Sequence, residues 1–170
     1  MLFRKALFSI PFVFLIACAG YDGDPNNVVV VQPKVQSANG LDIYAATRNQ
    51  GQPRYYGDRL ILIRAADLVN FRKGPQCTLS NQLFQASFTA PAYVKVPDYR
   101  RQSPSATIRC SYEGKIGVDT LEAINISEKR RAANSMMGAG GGISIIIPIG
   151  PRERADDIWG YPEVFNVVME

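Results

Sequence analysis

Between Cys77 and Ile126 the chain is cut into short pieces. "CTLSNQ" (77–82), "FQASFTA" (84–90), "AYVKVP" (92–97), "SATIRCSYEG" (105–114) and "VDTLEAINI" (118–126) are rich in Thr, Val, Ile, Tyr and Phe, and Pro91, Pro97, Pro104, Gly114 and Gly117 break them apart. Turn signals arriving about every ten residues leave no room for helices of ordinary length and suit antiparallel strands joined by tight connections. The expected fold is mainly β: a small antiparallel sandwich or barrel. In "SATIRC" the alternation puts Ala106, Ile108 and Cys110 on one face and Thr107 and Arg109 on the other. Cys110 therefore points inward, where it can meet Cys77.

The flanks are less regular. Residues 41–76 read as a β-like N-terminal extension, with short strands at Ile43–Ala46 and Arg59–Ala65 around the turn-rich "NQGQPRYYGD" (49–58). Residues 77–127 form the β-domain proper. In 128–170, "EKRRAANS" suggests a helical turn, "MMGAGGGISIIIPIGP" (136–151) is a Gly-rich apolar segment, and Val164–Val168 reads as a terminal strand. Asp156 and Asp157 read as a solvated loop, since neighbouring residues cannot form a carboxylate dyad.

At the N-terminus, Arg4 and Lys5 precede Ala6–Ala17, which is uncharged and has Ser9 as its one polar side chain. A charged start and an apolar run of this length form a secretory signal, too short to span a bilayer of ~30 Å. Leu15, Ile16 and Ala17 directly before Cys18 resemble the bacterial lipobox. Residues 1–17 are then a signal peptide, Cys18 the lipidated first residue, and 18–40 an extended tether interrupted by Val28–Val31, which read as an edge strand or as a segment that docks late onto the domain. Acyl chains would hold the protein to a membrane, and Ala19 rather than Asp after the cysteine favours the outer membrane, facing the periplasm.

Outside the cytoplasm, Cys77 and Cys110 read as a disulfide, the alternative being two reduced buried thiols. Removing Arg4 and Lys5 takes the formal net charge from +4 to +2. With no stripe of Lys and Arg interleaved with aromatics, nucleic acid is an unsuitable partner.

The ordered motifs Cys77-Thr78-Leu79, Thr89-Ala90-Pro91-Ala92 with Val94 and Val96, Thr107-Ile108-Arg109-Cys110, Glu113-Gly114, the Gly138–Gly150 stretch and Tyr161-Pro162 resemble small bacterial lipoproteins with a PEGA-like β-domain. The resemblance covers roughly residues 77–170. It implies a lipid-anchored envelope protein of uncharacterised role and brings no catalytic residue.

The chain has no histidine. That removes the commonest general base at neutral pH and the commonest zinc ligand. Asp22, Asp24, Asn26 and Asn27 lack the glutamate that closes a calcium loop. "GAGGGIS" lacks the Gly-Lys-Ser/Thr ending of a phosphate loop. Neither a cofactor, a metal site nor an enzyme is expected. Two basic aromatic groups are candidate interaction surfaces, Tyr55-Tyr56 with Arg54 and Arg59, and Tyr93, Tyr99, Arg100 and Arg101, because exposed Tyr and Arg anchor protein interfaces. Gly138, Gly140, Gly141, Gly142, Ile145, Ile146 and Ile147 are candidates for a membrane or partner contact. The expected role is a structural, accessory or adaptor component of the envelope with a protein partner there. The alternative is a glycan- or small-ligand-binding module of the periplasm.

Overall fold

The computed structural model describes residues 24, 27–35, 40–66, 74–137 and 153–170. Its strands are β1 (Val28–Val30), β2 (Gln32–Pro33), β3 (Asp58–Ala66), β4 (Gln76–Ser80), β5 (Phe84–Thr89), β6 (Ala92–Pro97), β7 (Ala106–Tyr112), β8 (Lys115–Leu121), β9 (Ile124–Asn125), β10 (Trp159–Gly160) and β11 (Val164–Val168), with one α-helix, α1 (Ile126–Met137), after β9. The mainly β expectation holds. Two open sheets face each other: a mixed one in the order β1-β6-β3-β11, and an antiparallel one in the order β2-β5-β4-β7-β8.

Period-two patterning makes both sheets. In β5 the burial alternates from Phe84 through Ala86 and Phe88, and in β7 from Ala106 through Ile108 and Cys110. From the opposite sheet come Ile61, Ile63, Val94 and Val96, all fully buried. Burying each Phe, Leu or Ile contributes about 1.5–3 kcal/mol. Cys77 and Cys110 stand directly opposite each other on β4 and β7 and form the disulfide, with their Cα atoms 4.0 Å apart.

The two sheets are joined along both margins. On one side the chain changes sheet at buried Val31: β1 runs parallel to β6, and β2 runs antiparallel to β5. On the other side β11 runs on into Glu170, which exchanges a reciprocal pair of backbone hydrogen bonds with Ile116 at 3.0 and 3.2 Å. Gly117 permits that approach, since a Cβ there would lie 2.3 Å from the Val168 carbonyl oxygen. Neither sheet closes into a barrel.

Several local expectations change. Of the two readings of the valine run, edge strand and late docking, the first holds for Val28–Val30, which cover the edge of the mixed sheet, while Gln32–Pro33, read as tether, forms the edge of the other. The strand expected at Ile43–Ala46 gives way to a 3-10 helix over Ala45–Gln50. The run 118–126 is split, its last residues leaving the five-stranded sheet to pair as β9 with β10. The helical turn at 128–135 is a 12-residue helix. Residues 41–76 do not stand apart from the β-domain: β3 lies at the centre of the mixed sheet, between β6 and β11, and its side chains share one core with β4–β8.

Candidate functional site

The connection from β6 to β7, Asp98–Ser105, builds a surface held by a buried hydrogen-bond network. Asp98 is buried and accepts from Arg59 (Nε at 3.2 Å, Nη2 at 3.1 Å) and from the Arg100 amide at 2.7 Å. The Ser103 hydroxyl accepts from the Tyr99 amide at 2.9 Å. Tyr99 is 1% exposed; its hydroxyl accepts from the Ile43 amide at 2.8 Å and lies 3.1 Å from Asp42 Oδ1, to which it donates. Burial pushes its phenol up to about 12, and burial together with a hydrogen bond to Asp58 does the same for Tyr55.

This buried scaffold holds Arg100 at φ 57°, a left-handed conformation uncommon for a residue with a side chain. The consequence is placement. The Arg100 guanidinium sits 4.6 Å from the Tyr56 ring centroid and that of Arg54 sits 5.4 Å from the same ring. Tyr56 is 49% exposed, and neither arginine pairs with a carboxylate among the described residues. Next in sequence, Arg101 stacks 4.8 Å from the Trp159 ring and pairs with Glu153 at 2.9 Å. Each cation–π contact at an exposed site is worth ~0.5–1 kcal/mol.

The returning chain braces this surface from below. Gly160 lies against Arg59, whose Nη2 would be 2.8 Å from any Cβ there. Tyr161 is fully buried and donates its hydroxyl to the Pro104 carbonyl. Asp157 anchors the approach. Its carboxylate accepts from Arg131 Nη1 at 2.6 Å and Nη2 at 3.0 Å, from Asn125 Nδ2 at 2.5 Å and from the Arg154 amide at 2.9 Å. The Arg131 and Asn125 hydrogen bonds hold it well below the usual carboxylate range. The solvated-loop reading of Asp157 is thus corrected: its side chain is 1% exposed, because α1 supplies an arginine that a sequence separation of 26 hides from any local pattern.

Of the six candidate surface residues, the structure brings Tyr55, Tyr56, Tyr99 and Arg100 together, with Arg101 beside them. Tyr99 is a buried support, its ring 5.7 Å from that of Tyr55, and is not available to a partner. Tyr93 lies away from the group on β6, opposite Leu62 and Val28. Arg54, expected beside Tyr55-Tyr56, lies at the Tyr56 ring, whereas Arg59, expected in the same group, turns inward to Asp98; Trp159 was missed, since its stacking on Arg101 joins positions far apart in the chain. Cys18 and the candidate contact residues Gly138, Gly140, Gly141, Gly142, Ile145, Ile146 and Ile147 lie outside the described residues.

A second feature lies at the end of the five-stranded sheet, a cleft of about 580 Å³ between the Asn81–Leu83 turn and Pro104–Ser105, with Tyr44 in its wall. No protein-family model, curated protein or solved structure matches the chain.

Proposed function

We propose that this protein is a lipid-anchored, non-catalytic component of a bacterial envelope that acts as an adaptor, docking an acidic partner protein on the surface built by Arg54, Tyr56 and Arg100. The carrying observation is two guanidiniums, neither paired with a carboxylate among the described residues, both set against the ring of one exposed tyrosine. Such a group offers a desolvatable aromatic anchor and two forked donors suited to carboxylates. The lipobox-like segment ending at Cys18 supports anchoring, and the Cys77–Cys110 disulfide suits an oxidising compartment. The order of motifs supports kinship with PEGA-like lipoproteins.

Crosslinking in intact cells followed by pull-down tests the reading. Wild type should capture a discrete envelope protein, and Arg54→Glu with Arg100→Glu should lose it while the purified variant melts as wild type does. Equal capture by the charge-reversed variant would overturn the docking assignment.

A further inference from the structure

We infer that the cleft at the end of the five-stranded sheet binds an uncharged oligosaccharide. Its floor is a row of hydroxyls placed by register: Ser80 on β4 stands opposite Thr107 on β7, which stands opposite Thr120 on β8. The Cβ atoms of neighbouring members of such a row are about 4.5–5.5 Å apart, which sets out a line of separate hydroxyl donors and acceptors along the cleft. Gln82, Ser105, Thr107 and Thr120 have no side-chain hydrogen bond within the protein among the described residues, so their donors and acceptors are free for a ligand.

The frame behind them is already ordered. Asn81 Oδ1 accepts from the Leu83 and Phe84 amides at 2.8 and 2.9 Å, and Nδ2 donates to the Ser105 carbonyl at 3.1 Å. Lys34 Nζ donates to Ser80 Oγ at 3.0 Å and to the Asn81 carbonyl at 2.5 Å, and Tyr161 holds Pro104 from the core side. The walls therefore need little ordering on binding, which preserves affinity for a weakly binding ligand. Tyr44, its ring set edge-on to Tyr99 at 5.0 Å, supplies an aromatic wall.

The chemistry of the lining selects the ligand class. No charged side chain lines the cleft, while hydroxyls and amides from four strands and turns converge on it. The nearest charge, the Lys34 ammonium, is already tied to Ser80 and the Asn81 carbonyl, so an ion would find little free counter-charge among the described lining residues, whereas a sugar's hydroxyls would meet donors and acceptors. The volume is in the range of small-molecule sites, ~300–1,000 Å³, and suits a short oligosaccharide. The inference stands apart from the adaptor reading, because it uses none of Arg54, Tyr56 or Arg100.

The test is an amide NMR titration of the full-length protein in zwitterionic detergent with maltotriose and with tri-N-acetylchitotriose. Saturable shifts are expected at Gln82, Ser105, Thr107 and Thr120 with at least one of the two sugars. Thr107→Val with Thr120→Val keeps strand-forming, similarly shaped side chains and should weaken binding about tenfold or more with an unchanged spectrum elsewhere. Absence of saturable shifts with both sugars, shifts centred on other residues, or undiminished binding by the valine variant would each overturn the inference.

Discussion

Removal of the Cys77–Cys110 bridge, as Cys77→Ala with Cys110→Ala, should leave the fold intact and lower its stability by a calculable amount. The two cysteines are separated by 33 positions, so the chain-entropy relation assigns about 3.7 kcal/mol to the crosslink at 25 °C. The native side of the equilibrium changes little. Three of the neighbouring register pairs, Gln76–Ser111, Thr78–Arg109 and Leu79–Ile108, keep β4 against β7 without it. Loss of two buried sulfurs acts in the same direction. For a chain of this size the shift corresponds to a fall in Tm of roughly 7–15 °C. Urea unfolding followed by far-ultraviolet circular dichroism, in buffer without reductant, measures it. The variant should show a lower midpoint and a somewhat steeper m value, since its denatured state is free to expand. A difference below ~1 kcal/mol would refute the reasoning, and so would loss of the native spectrum at low urea.

Two further predictions concern the margins of the fold. Gly117→Ala should separate Glu170 from Ile116 and cost about 1–3 kcal/mol, because the added methyl meets the Val168 backbone. Unchanged melting, together with continued amide exchange protection at Ile116, would show that the seam tolerates it. Asp157→Asn should lower Tm at neutral pH and flatten the acid limb of stability against pH. The carboxyl of Asp157 is depressed in the fold, so its contribution is complete above its ordinary value near 3.8 and disappears as pH falls below it. If wild type and variant lost stability in parallel between pH 5 and pH 2, as followed by thermal melts, Asp157 would not be the group responsible.

The parts of the fold that sequence made legible are those where the signal is local. Alternation in 105–110 placed Ala106, Ile108 and Cys110 inward without any knowledge of a partner strand, and the cysteine pair followed from it. Strand β6 fell where Pro91 and Pro97 bounded it. What escaped depends on pairing at long range. Val28–Val30 could be read as an edge strand, but not its partner, since β6 offers that edge some 65 positions later, with Val28 opposite Tyr93. The run ending at Ile126 looked continuous, yet Trp159 and Gly160 draw Ile124 and Asn125 into a separate ribbon.

The candidate surface shows the same division. The sequence marked Tyr56 and Arg100 as basic aromatic residues, but it did not indicate that a left-handed Arg100 puts both on one spot, or that Tyr99 between them is core. The neutral cleft had no sequence signal at all, since Ser, Thr and Gln scattered over four segments become a site only when β4, β7 and β8 are set side by side.

Compartment underlies both the docking reading and the oxidised cysteine pair. Intact and peptide mass spectrometry of the protein recovered from membranes of its native host tests it most directly. The account predicts an N-terminal peptide that begins at Cys18 and carries the added mass of a diacylglyceryl group, with Cys77 and Cys110 recovered as one crosslinked pair. Recovery of residues 1–17 still joined to an unmodified Cys18, with free thiols at 77 and 110, would contradict it.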